Sequence, residues 1–127
     1  MDLKQQIDET RLQAMEGMDI PWMLEQAVSR SPEKPCLIWE PFEGESSTLS
    51  YRELQTKARQ LARGLHNRGV QEGDFVILHM VNSPEFVVSW YACAELGAVA
   101  VSTNTRSVAR DLSYFSQHTE AVCAITQ

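Results

Sequence analysis

From residue 50 onward the sequence alternates between two hydrophobic patterns. Longer segments carry apolar residues three and four positions apart. Each is followed by a short run of nearly consecutive apolar residues. The first pattern is a helix with one buried stripe. The second, bounded by turn residues, is a strand covered on both faces. The order is helix, strand, helix, strand, helix, strand. Such an order folds as a parallel sheet with right-handed crossovers and helices on its faces. The expected fold class is therefore α/β, three-layered, with a mostly parallel sheet.

Ser50 to Asn67 is the clearest helix. Ser50 and Glu53 have the spacing of a capping box, and Tyr51, Leu54, Ala58, Leu61, Ala62 and Leu65 share one face. Gly69 stands where a left-handed cap is wanted, and Gly64 reads as a packing glycine. Phe75 to Met80 is a strand. Ser83 caps the next helix with Pro84 at its first position. Phe86, Val87, Trp90, Tyr91 and Ala94 form one face of that helix, with Trp90 expected in the core. Val88, Ala92, Cys93 and Leu96 make it apolar nearly all round, and Gly97 ends it. Ala98 to Val101 is a strand, Val108 to Gln117 a helix with Leu112 and Phe115 inward, and Ala121 to Ile125 a strand.

The first fifty residues read differently. Residues 1–18 look like a loosely packed lead-in with a weak stripe of Leu3, Ile7, Leu12, Met15 and Met18. Asp19 opens a helix with Pro21 in its first turn, and Ser31-Pro32 ends it. Trp22, Met23, Gln26 and Ala27 fall at helical spacing within it. Cys36 to Trp39 and Thr48-Leu49 form a small hairpin around a loop holding Gly44.

Charge and cysteines exclude several function classes. The formal net charge is -6, and the acid excess lies in residues 1–50, with ten acidic against four basic side chains. That argues against a nucleic-acid surface and against docking on an anionic membrane. Cys36, Cys93 and Cys123 contain no CxxC pair and are odd in number, so they make neither a disulfide framework nor a zinc site. The polar start of the chain has no signal-peptide core, and the apolar stretch Phe86 to Val101 is too interrupted to span a bilayer. A cytoplasmic setting follows as an expectation.

Local searches for chemistry give little. No GxGxxG follows a strand, and Val70-Gln71 stand where a phosphate loop ending at Gly69 would need Lys and Ser or Thr. His66, His79 and His118 are scattered, and His79 reads as a satisfied half-buried histidine. Glu43 and Glu45 read as a solvated loop. Arg52, Lys57, Arg59, Arg63 and Arg68 read as the wet face of a helix. The one pair of interest is Asn104 and Arg106, directly after a strand, where parallel sheets bind ligands. Arg106 suits a carboxylate or phosphate. Asn104 can clamp its own loop. Loop clamp and ligand contact both stay open. Asn82 and Ser83 occupy the same place after the preceding strand.

Taken together, certain runs resemble a known family. They are Leu49-Ser50-Tyr51-Arg52-Glu53-Leu54, Ala58 to Leu65, Arg68 to Val76, Asn82-Ser83-Pro84-Glu85-Phe86, Gly97-Ala98-Val99, and Asn104-Thr105-Arg106 with Asp111-Leu112. With Pro32 to Ile38 they resemble the opening of the AMP-forming acyl-CoA synthetases, the adenylate-forming enzymes. The likeness covers about residues 20–127. Ser102 and Thr105 stand where the family often has proline, and Asp111 replaces a common glutamate.

The resemblance implies that residues 19–127 are the leading part of a large AMP-binding N-terminal domain that continues beyond them. It implies a ligase of the kind used in fatty acid metabolism. A carboxylate attacks the α-phosphorus of ATP, pyrophosphate leaves, and the thiol of coenzyme A displaces AMP. Magnesium assists. The family's phosphate loop, Thr-Glu pair, ribose-binding Asp and carboxyl-terminal lysine have no counterpart in residues 1–127. No catalytic, cofactor-binding or metal-binding residue is therefore assigned here. The chain by itself is expected to be inactive, to bind no cofactor, and to take the remainder of the same polypeptide as its partner. The open sheet edges and the apolar helix also imply self-association of the isolated chain, or an exposed apolar patch. The rival readings are a stand-alone α/β binding or scaffold module, and another nucleotide-using enzyme such as a reductase.

Overall fold

A computed structural model describes residues 13–127. The expected lead-in therefore falls largely on residues 1–12, outside the described part. The elements in chain order are α1 (Ile20–Arg30), β1 (Pro35–Trp39), β2 (Ser47–Ser50), α2 (Tyr51–Asn67), β3 (Phe75–His79), α3 (Pro84–Leu96), β4 (Val99–Ser102), α4 (Ala109–Thr119) and β5 (Cys123–Thr126). Strands β1 and β2 form an antiparallel hairpin, with an irregularity between Pro35 and Leu37. The other three form a parallel sheet in the order β4-β3-β5, with Phe75 beside Val99 and Val76 beside Cys123.

Strand β3 makes the core. Val76 and Leu78 project to one face and join Leu65, Val70 and Cys93 in a buried cluster. Ile77 and His79 project to the other face, where Leu112 and Ser116 of α4 lie across a small cavity. Burial on both faces is why this strand is a nearly unbroken apolar run. The layers are thus α2 with α3, the sheet, and α4.

The start of α2 shows why the capping box matters. Ser50 Oγ accepts the Glu53 N–H at 3.2 Å, and the Glu53 carboxylate accepts the Ser50 N–H at 2.8 Å. Tyr51 and Arg52 donate their amides to the carbonyls of Lys34 and Pro32. The first N–H groups of a helix have no partner within it, so these bonds fix its origin. The Ser50 N–H, through its bond to the carboxylate, holds Glu53 below the usual carboxylate range. Its contribution to stability is therefore complete above that range and is lost as pH falls through the lowered value.

The charged side of α2 is not simply solvated. Arg59 Nη2 meets Glu25 of α1 at 2.7 Å, and Arg59 Nε meets Glu95 of α3 at 3.4 Å. Gln55, a buried polar side chain, donates to the same Glu25 at 2.6 Å. The Arg59 and Gln55 hydrogen bonds lower the Glu25 pKa. Arg52 pairs with Glu33 at 2.7 Å. All five basic residues of this face are exposed, as expected, and Arg59 in addition links three helices.

Two further expectations change. Trp90 is 37% exposed and packs edge-on against Tyr91, while Ser89, Ala92 and Cys93 are the buried residues of α3. Small residues face α2 because the two helices approach closely. In α1 the buried residue is Leu24, with Trp22 and Met23 exposed. The apolar circumference of α3 is mostly used within the chain, since only Glu85 and Trp90 of its residues are exposed.

The glycines separate into two kinds. Gly97 ends α3 at φ +72°, and an added Cβ would lie 2.9 Å from Glu72 Cγ. Gly64 has ordinary helical geometry, and an added Cβ would meet only the flexible Arg68 Nη1 at 3.7 Å. It is not a packing glycine. Gly97→Ala should therefore cost about 1–2 kcal/mol from the left-handed backbone alone. Gly64→Ala should stabilise by about 0.5–1 kcal/mol. Denaturant melts of both variants test the opposite signs. In the same experiment Leu78→Ala, at a fully buried site, should cost about 2–5 kcal/mol, and Trp90→Ala clearly less.

Candidate functional site

Right-handed crossovers running in opposite directions along a sheet place their helices on opposite faces. Here β3 passes through α3 to β4 on one side, and β4 passes through α4 to β5 on the other side of β3. The loops leaving β3 and β4 therefore part. Between adjacent parallel strands such a parting opens a crevice at their carboxyl ends. It is present here, about 340 Å³ in volume, lined by Met80, Val81, Asn82, Thr103, Asn104 and Thr105.

The structure brings together one residue from each of the two pairs read from the sequence. Asn82 and Asn104 face each other across this crevice as two of its lining residues. Asn104 clamps its loop: Oδ1 accepts the Arg106 N–H at 2.9 Å, and its carbonyl accepts the Ser107 N–H at 2.9 Å. Arg106 is exposed, and among the described residues its guanidinium has no ion-pair partner. Ser83 is buried, and its Oγ accepts the Phe86 N–H at 3.2 Å, so it serves as a cap and not as a ligand contact.

The floor is held by a chain of hydrogen bonds. Thr103 N–H donates to the Leu78 carbonyl at 3.1 Å, and Thr103 Oγ1 lies 3.3 Å from the same oxygen. His79 Nδ1 lies 2.8 Å from the same Oγ1. The hydroxyl has one proton for two neighbours, the Leu78 carbonyl and His79 Nδ1, so its direction is tied to the His79 tautomer. His79 is thus the satisfied half-buried histidine that its place in a strand suggests. Gln127 Oε1 accepts the Val81 N–H at 3.1 Å, tying the end of β5 to the loop after β3.

Other sequence candidates do not converge. His66 ends α2, and His118 stacks on Tyr114 of α4. Glu43 and Glu45 are exposed in the hairpin loop. Among the described residues no three His, Cys, Asp or Glu side chains form a metal-binding group. The cysteines are free, and burial pushes the Cys93 thiol up to about 11, which leaves it protonated and unreactive near neutrality. A second concavity of about 650 Å³ lies beside β5, with Leu49, Leu61, Met80, Val88 and Ile125 in its wall.

The crevice and the His79–Thr103 bond escaped sequence reasoning because both depend on which strands are neighbours. The handedness rule would have placed α3 and α4 on opposite faces once β5 was assigned to the far side of β3. No local signal assigns it.

Comparison with known proteins decides the family. The family described as AMP-binding enzyme matches residues 24–127. The chain belongs to the AMP-binding enzymes. It corresponds to an N-terminal portion of an adenylate-forming ligase domain. Crotonobetaine/carnitine–CoA ligase of Proteus mirabilis (strain HI4320) is 34% identical over 93 residues, covering 73% of this chain and 18% of that protein. The ligase of the same name from Salmonella paratyphi A (strain ATCC 9150 / SARB42) is 29% identical over 110 residues, or 87% and 21%. The chain thus spans about a fifth of the length of these curated relatives.

Solved structures agree. The inhibitor-bound N-terminal domain of FACL13 from Mycobacterium tuberculosis matches with a TM-score of 0.77 and 34% identity, covering 85% of this chain and 26% of that one. A fatty acyl CoA synthetase from the same organism matches with a TM-score of 0.78 and 32% identity, at 85% and 21% coverage. The Klebsiella oxytoca NpsA N-terminal subdomain in complex with anthranilyl-AMSN matches with a TM-score of 0.76 and 27% identity, at 85% and 27%. The α/β layering and parallel sheet are those of this AMP-binding family.

Thr103→Val keeps the side-chain shape but removes the hydroxyl that links β3 and β4. It should cost about 1 kcal/mol. The ¹⁵N signal of His79 Nδ1 should move when the hydroxyl is lost, and an unchanged signal would show that the two groups do not interact.

Proposed function

We propose that the full-length protein activates a carboxylic acid with ATP and passes the acyl group to coenzyme A. The carboxylate oxygen bonds to the α-phosphorus as pyrophosphate leaves, and the thiol sulfur then bonds to the acyl carbon as AMP leaves. The observation that carries this reading is the family match over residues 24–127. The CoA ligases and the fatty acyl CoA synthetase among the similar proteins support coenzyme A as the acceptor.

In this reading residues 19–127 are the leading part of the AMP-binding domain, and residues 1–18 a loosely packed lead-in. Their role is architectural. They supply one sheet and its cover, while the phosphate-binding, ribose-binding and lysine groups lie on other parts of the enzyme. Magnesium, in this reading, assists at groups on those other parts. None of the described helices is long and apolar enough to cross a membrane. A cytoplasmic location is part of the proposal. The free edge of β5 and the groove beside it are the surfaces that the remainder of the polypeptide covers, and in the isolated chain they favour self-association.

The test is pyrophosphate release from the full-length protein and from residues 1–127, each with ATP, magnesium and a panel of carboxylates, with and without coenzyme A. The full-length protein should release pyrophosphate with at least one acid and turn over only with coenzyme A. Residues 1–127 should match the blank. Turnover by the short chain would overturn this reading, and silence of the full-length protein across the panel would favour the stand-alone module.

A further inference from the structure

We draw no further inference here: the strongest candidate, the apolar groove of about 650 Å³ beside β5 walled by Leu49, Leu61, Met80, Val88 and Ile125, belongs to the surface already proposed to meet the remainder of the polypeptide, and nothing in the structure shows what else covers it.

Discussion

Strand β3 is the constraint on which the rest of the structure depends. It has a parallel neighbour on each side and apolar side chains on both faces. A strand so placed is paired along both edges, and Val76, Ile77 and Leu78 at its centre are buried, so the chain must supply two helical layers and two crossovers to cover it. Since crossovers are right-handed, covering both faces means travelling in both directions from β3. The crevice at the carboxyl end is the geometric result of that requirement, and needs no special loop sequence.

The second level of organisation is how the first layer is fixed over β3. Helix α2 begins where Ser50, Glu53 and the 32–34 loop satisfy its first amides. It lies against α3 through Ala58 and Ala62 on one side and Ala92 on the other, all buried. Small side chains allow close approach, and the hydrophobic effect then acts over a long shared surface. Arg59 adds direction. It reaches Glu25 and Glu95 on the two neighbouring helices, which sets how α1 and α3 sit across α2. Surface ion pairs contribute little stability singly, but a side chain shared between two carboxylates restricts orientation. The Glu95 partner is largely buried, at 15% side-chain exposure, so that arm of the network is the less screened of the two.

The link from fold to function is one of division of labour. The described residues contribute capped helices, a parallel sheet and one clamped loop to an AMP-binding domain. Among them no three His, Cys, Asp or Glu side chains form a metal-binding group.

Much of this was legible before any coordinates. The capping box at Ser50, the proline and serine at the start of α3, the left-handed Gly97 and the apolar run of β3 are local signals, each produced by backbone geometry within a few residues. The tertiary structure alone decided three things. It decided that Trp90 lies at the rim while Cys93 and Ala92 fill the core, because the apolar circumference of α3 does not say which side meets α2. It decided that Arg59 is a three-helix tie, because its carboxylates lie 34 and 36 positions away. And it decided that Asn82 and Asn104 share one crevice, because strand order is set by long-range packing around β3. Periodicity fixes which residues want to be buried, but the same stripe can be buried against more than one neighbour. Only the assembled layers choose among them.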